Sequence, residues 1–193
     1  MTPEYPAGAT PLDRDEAAGL IPSHITTQAQ LNEWEQANVL KGQQWASSRR
    51  NDDIFTEDFC RKLHKHMFGK TWTWAGTFRT AEKNLGVDPL QIGVQLRLLL
   101  DDARYWFKHD TYSVAEAAVR FHHRLVAIHP FPNGNGRHAR MMADVIVARH
   151  KGKYLTWGRA DLVSAGEARQ RYIAALQHAD AHDMGPLLEF ARS

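Results

Sequence analysis

Twelve residues at 129–140, "HPFPNGNGRHAR", constrain this chain more than any other stretch. They separate two apolar runs with helical spacing, "AAVRFHHRLVAI" and "MMADVIVARH", which read as core helices. A plain turn between two helices needs only roughly two to eight residues and no fixed charge. This turn instead carries an imidazole, two prolines, a Gly-Asn-Gly step and two arginines. Gly134 and Gly136 admit backbone angles that aim successive N–H groups at one point, where a helix then starts with its positive dipole end. Such a helix N-terminus is a ready anion site. Arg137 and Arg140, three residues apart, are expected on neighbouring positions of one helix face. Two guanidinium forks beside a cradle of amides suit a di- or triphosphate better than a single carboxylate. His129 stands at the other end of the loop, stiffened by Pro130 and Pro132. Its near-neutral pKa suits it to take a proton from an attacking hydroxyl while the anion site holds a phosphate. Alone, a histidine before a proline at a helix end would be a cap or a surface residue. Its fixed distance from the Asn-Gly-Asn-Gly-Arg turn makes it a candidate base.

The rest of the chain supports a helical frame. Residues 1–25 hold four of the eight prolines and little periodicity, and read as an extended strap with a short turn at 15–20. Thr26 is a plausible cap for a helix that places Leu31, Trp34, Asn38 and Trp45 along one face. A second helix opens at Thr56 with acidic residues in its first turn and runs to Phe68, ahead of Gly69. Residues 71–87, "TWTWAGTFRTAEKNLGV", are rich in Thr and aromatics with a polar middle, which predicts a short β-hairpin. Asp88-Pro89 starts a third helix reaching Lys108, and Ser113 caps a fourth that leads into the central loop. A fifth begins at the loop's own glycine and ends near His150. Ser164 and Glu167 form a capping box for a sixth helix through Ala179, and a short final helix follows Met184. The expectation is an all-α domain with one β-hairpin.

Composition excludes several classes. At 193 residues the chain is long enough for one domain with its own core, and 43% hydrophobic with 24% charged residues is ordinary for a globular protein. A net charge of +2, with basic groups scattered among acidic ones, gives no argument for direct nucleic-acid binding. The compact run "SSRR" reads as a solvated helix end. The single cysteine, Cys60, rules out an intrachain disulfide and reads as a buried thiol. No signal-like leader and no 18-residue apolar span is visible, so a soluble cytoplasmic protein without membrane contact is expected. "HADAH" at 178–182 has two-His spacing but lacks a third ligand, and "HKH" at 64–66 cannot put both rings on one helix face. The six tryptophans fall where core packing explains them, and no P-loop is present.

"HPFPNGNGR" resembles the signature of the Fic family, written His-Pro-Phe-x-(Asp or Glu)-Gly-Asn-(Gly or Lys)-Arg. "FHHRLVAIHPF", "HARMMAD" and "WAGTFRT" resemble Fic segments in Fic order, and with "LNEWEQAN" they look most like the bacterial subgroup called mobile mystery protein B. The resemblance spans residues 27–150 of a single Fic domain at 1–193, with a strap at 1–26 and C-terminal helices at 151–193. It implies a Fic-type helical fold with a hairpin flap beside the active-site loop. It also implies a protein adenylyltransferase that moves AMP from ATP to a Ser, Thr or Tyr hydroxyl of a target protein. By position, His129 is the general base, Gly134, Asn135 and Gly136 form the anion hole, Arg137 holds phosphates, and Arg140 engages the γ-phosphate. The flap would dock the target by strand addition, with Thr77, Phe78, Arg79, Lys83 and Asn84 as its contact residues. His122, seven residues before His129, would pack behind the site.

One position departs. Asn133 stands where the family has an acidic Mg²⁺ ligand; an amide oxygen can ligate the ion but brings no charge. This raises two alternatives, a degenerate Fic module that binds nucleotide or a partner without turnover, and a toxin-like enzyme with another phosphate-containing donor. Many Fic proteins are also silenced by a helix carrying (Ser or Thr)-x-x-x-Glu-(Gly or Asn), which no stretch here matches. Glu33 and Glu35 are the nearest residues and read as surface salt-bridge partners, leaving control to a separate antitoxin chain.

Overall fold

Side-chain caps set four of the eight α-helix starts among the described residues of the structure, a computed structural model that describes residues 10–159, 162 and 166–193. Asp13 opens α1 (Arg14–Ala18) with a capping box: its carboxylate accepts from the Glu16 N–H, and the Glu16 carboxylate accepts from the Asp13 N–H. Thr27 and Gln30 do the same for α2 (Gln28–Ser48), one residue later than the expected Thr26. Thr56 caps α3 (Glu57–Phe68) through the Phe59 N–H. Pro89 begins a 3-10 turn, Pro89–Gln91, that runs into α4 (Ile92–Lys108). Ser113 caps α5 (Val114–Ile128). Gly134, in the left-handed conformation, starts α6 (Asn135–Arg149) with no side-chain cap at all. A second 3-10 turn, Trp157–Arg159, precedes α7 (Glu167–Asp180) and α8 (Gly185–Arg192). Of the capping box expected for α7, Ser164 lies outside the described residues, and the cap that is seen, Gly166, makes no side-chain bond.

The two apolar runs around the central loop form the hub. Nine of the fifteen residues of α6 are buried, so this helix is enclosed on nearly every side. It packs on α5 and touches α2 and α3, while α4 covers α5 and α8 ties α7 to α5. Leu125, Met142, Ile146 and Leu187 are fully buried in this core, each stabilising the fold by about 1.5–3 kcal/mol. The α2–α3 contact depends on Gly42, where a Cβ would stand 2.4 Å from Met67 Cγ.

Two expectations are corrected. The buried face of α2 is Leu31, Glu35, Asn38, Gly42 and Ala46, turned away from the face through Trp34, which is exposed. The β-hairpin is absent: residues 71–87 form turns, and the β pairing seen among the described residues is one antiparallel bridge, Leu20 to Trp72. The reason is that the segment's polar groups find partners outside it. Gly76 turns the chain at φ 82°, and its N–H donates to His64 on α3. Arg79 donates its guanidinium to the His129 carbonyl of the central loop and to the Ala81 and Val87 carbonyls of its own segment. The Arg79 and Val87 N–H groups reach the carbonyls of Pro130 and Ile128, so no second strand is needed to satisfy the segment.

Candidate active site

His129 ends α5 in the left-handed region, at φ 54° and ψ 59°. A non-glycine residue held there stores strain of about 1–3 kcal/mol, and the surroundings must hold it in place. They do so through Arg79, which is buried: its Nε donates to the His129 carbonyl at 2.7 Å, and its guanidinium also donates to the carbonyls of Ala81 and Val87. The Arg79 N–H and the Val87 N–H reach the carbonyls of Pro130 and Ile128 at 2.9 and 3.3 Å. Arg79 therefore clamps the 71–87 segment to the loop. It does not present its side chain to a target, as the resemblance implied.

The imidazole of His129 has its tautomer set by its neighbours. Nδ1 lies 3.3 Å from the Val126 carbonyl, which can only accept, so Nδ1 carries the proton. Nε2 is then an acceptor and faces the Thr10 hydroxyl at 2.8 Å. Burial lowers the His129 pKa to about 4, and the charges of Arg79 and Lys83 push the same way against the Val126 bond. The ring is a neutral proton acceptor at neutral pH.

The loop between His129 and α6 is braced from within. Asn135 accepts from the Phe131 N–H at 2.9 Å and donates to the Phe131 carbonyl at 2.7 Å, so its side chain is a brace and only its N–H can face an anion. His64 on α3 ties two segments together: its Nδ1 accepts from the Gly76 N–H and its Nε2 donates to the Asn133 carbonyl, both at 3.0 Å. Its ring stacks on Phe131 at 3.7 Å. Gly134 has φ 78°, and a Cβ there would meet the Phe68 ring at 2.7 Å, so backbone angle and space both demand glycine.

The two arginines part around the start of α6. Arg137 Nη1 donates to Glu35 Oε2 at 2.7 Å and lies over the Phe68 ring, while Arg140 lies over Tyr172 on α7. Glu35 is no surface partner: it is buried, and Trp72 Nε1 donates to its other oxygen at 2.6 Å. His122 does pack behind the site, bonded to the Tyr172 hydroxyl at 2.9 Å. Asp144, one turn beyond Arg140, is pushed up to about 6 by burial against the Trp157 N–H and Arg140. Cys60 is fully buried, its thiol pushed up to about 12, and so is no nucleophile at neutral pH.

The chain's own strap lies along the expected docking segment. Ile21 N–H donates to the Thr71 carbonyl at 2.8 Å, Thr73 N–H to the Gly19 carbonyl at 2.9 Å, and Trp74 Nε1 to the Glu16 carbonyl at 3.0 Å. Lys83, nearly fully buried, binds the Glu16 carboxylate and the Pro11 carbonyl. Thr77 and Asn84 are exposed, and Phe78 is half-buried between Phe131 and the Arg61 guanidinium. At the loop itself, Asn133 Nδ2 donates to the Thr10 carbonyl at 3.0 Å, and its Oδ1 accepts from the Gly134 N–H at 2.7 Å. The residues present therefore do not fit a protein-held Mg²⁺ in this arrangement. The loop offers one neutral amide oxygen, already bonded, where that ion takes one or two carboxylates beside substrate phosphates. Among the described residues no three His, Cys, Asp or Glu side chains gather as a metal cluster.

Sequence reasoning missed Thr10 and the bracing role of His64, and it read Glu35, which is buried, as a surface salt-bridge partner. A signal existed for Glu35, which shares the i, i+4 and i, i+3 spacing of Leu31 and Asn38. None existed for Thr10, which meets His129 across 119 residues.

A left-handed histidine, a glycine-started helix and two flanking arginines within a helical frame form a loop between core helices whose chemistry suits an anion. Residues 54–147 of the chain match the model of the Fic/DOC family. The chain is similar to the protein adenylyltransferase fic-1 of Caenorhabditis elegans, 28% identical over 151 residues, which are 74% of this chain and 27% of that protein. It is also similar to the protein adenylyltransferase Fic of Aedes aegypti, 25% identical over 73% of this chain and 28% of that one. The chain thus spans little more than a quarter of the length of these relatives. Among solved structures, the BepC effector of Bartonella tribocorum with bound AMPPNP shares the fold. Its TM-score is 0.68 at 19% identity, covering 93% of this chain and 97% of that one. The N-terminal Fic domain of a Bartonella quintana effector with bound ADP does so too, at TM-score 0.68 and 18% identity over 88% and 86%.

Proposed function

We propose that this chain is a Fic-type adenylyltransferase, moving AMP from ATP to a hydroxyl of a protein. The observation that carries the reading is the pairing of a neutral imidazole, its Nε2 turned to a hydroxyl, with an uncapped helix start flanked by Arg137 and Arg140. Transfer of this kind depends on position and charge more than on covalent chemistry of the protein. The main-chain N–H groups at the start of α6 and the two guanidinium groups would hold the triphosphate. His129 Nε2 would take the proton of the attacking hydroxyl as its oxygen bonds the α-phosphorus and pyrophosphate departs. The relatives named as adenylyltransferases, and the nucleotide-bound neighbours, support the reading. Mg²⁺ would come with the nucleotide. The partner is a protein hydroxyl, and a separate antitoxin chain is the controller the family resemblance implies.

A second reading is a module that binds nucleotide without turnover. It is favoured by one observation, that the Asn133 amide is engaged with Thr10 and Gly134 on both sides. His129→Ala separates the two. We expect it to abolish AMP incorporation while nucleotide still raises the Tm, because the imidazole acts on the acceptor. A wild-type protein that binds ATP yet labels no protein in a lysate would leave only the second reading.

A further inference from the structure

We propose that Thr10 is itself an acceptor, so that the chain adenylylates its own strap in cis. This rests on the transferase reading above. It begins from a contact which that reading does not require: the buried hydroxyl of Thr10 stands 2.8 Å from His129 Nε2, where an attacking hydroxyl must stand. The direction of that bond is settled by the Val126 carbonyl, which takes the Nδ1 proton and leaves Nε2 to accept from Thr10.

The strap is also presented as a target would be. Its main chain is read at Thr10 by Asn133, at Pro11 by Lys83, at Glu16 by Trp74, and at residues 19–21 by backbone bonds to 71–73. Backbone recognition places a hydroxyl with little demand on sequence. Asn133 takes a particular part here. An aspartate at this position could not donate to the Thr10 carbonyl and would set a carboxylate against it, so the departure from an acidic residue suits a chain that holds its own strap. A passive cap would need only the hydroxyl; the main-chain contacts fix the residue that bears it.

The step balances without an outside redox partner. Thr10 Oγ1 bonds the α-phosphorus of a nucleoside triphosphate and gives its proton to His129 Nε2. The bond from that phosphorus to the β-phosphate bridging oxygen breaks, and pyrophosphate leaves with the electron pair. The imidazolium returns its proton to solvent, and the product is a threonyl phosphodiester of the nucleotide.

The test uses the full chain with magnesium ATP labelled at the α-phosphate, and with GTP, CTP and UTP in parallel arms. We expect one label per chain, located on Thr10 by peptide mass spectrometry, with a rate per molecule that does not change with protein concentration. Thr10→Val and His129→Ala should lose that label, and Thr10→Ser should keep it, which also shows that the substituted strap still docks. Label on lysate proteins or on other residues of the chain, with Thr10 unmodified, would overturn the proposal and leave the transferase reading standing. No label from any of the four nucleotides, on this chain or on a lysate, would overturn both.

Discussion

Glu35 and Arg137 are 102 residues apart in the chain and form an ion pair of which little is exposed. Removing the carboxylate leaves a half-buried guanidinium and the Trp72 N–H without their partner. Breaking one side of such a pair costs about 3 kcal/mol when burial is this deep. Glu35→Ala should therefore lower the Tm by roughly 6–10 °C, whereas Glu35→Gln, which keeps the bond from Trp72, should lose less; equal losses in calorimetric melts would place the effect in packing alone. Arg140 makes a different expectation. It lies over Tyr172 beside the start of α6, on the side away from Arg137. A guanidinium there would meet the outermost phosphate, and a charged hydrogen bond contributes about 1.5–3 kcal/mol. Arg140→Ala should weaken ATP by roughly tenfold or more relative to AMP. Titration calorimetry showing equal losses for ATP, ADP and AMP would remove the residue from that role.

The element that would hold the phosphates in the proposed function is the first turn of α6, and its geometry hangs on Gly134. A side chain there must accept φ 78° and push into the Phe68 ring. Gly134→Ala should destabilise the protein by about 1–3 kcal/mol and turn the free N–H groups away from their common point. We expect the rise in Tm with ATP to vanish in this variant even where the protein remains folded; an unchanged rise would mean the nucleotide does not use this turn. At the same scale, the helices were largely legible in the sequence, because caps and 3.6-residue spacing are local. Thr56, Ser113 and the glycine start of α6 stand where their residue types predict. The 71–87 segment was not legible. Its strand-like composition was overridden by Arg79 and His64, whose partners come from elsewhere in the chain.

At the scale of the whole molecule, four histidines among the described residues are buried in neutral form: His64, His122, His129 and His138. Burial holds His129 and His138 at about 4, and His64 and His122 well below their ordinary value. Between the ordinary histidine value of about 6.5 and these lowered values, the unfolded chain binds protons that the folded chain does not. Stability is thus fully present above about pH 6.5 and is lost as the pH falls toward about 4. Asp144, raised to about 6, acts in the opposite sense, but it is one group against four. The Tm should fall clearly from about pH 7.5 to about pH 5, and His138→Gln should flatten that fall; a Tm independent of pH over this range would show that these rings titrate normally.

What the sequence determined by itself was whatever depends on near neighbours: the helical frame, the caps, and a loop of glycines, arginines and a leading histidine suited to an anion. Only the tertiary structure decided which side chains complete that loop. Thr10 reaches His129 across 119 residues and Asn133 across 123, and Glu35 reaches Arg137 across 102. Such contacts depend on how each helix is rotated about its axis. A shift of one residue turns a helical side chain by about 100°, enough to exchange Trp34 for Glu35 on the buried face of α2. Packing sets that angle. So packing, rather than any local pattern, put a carboxylate against Arg137 and a threonine against His129.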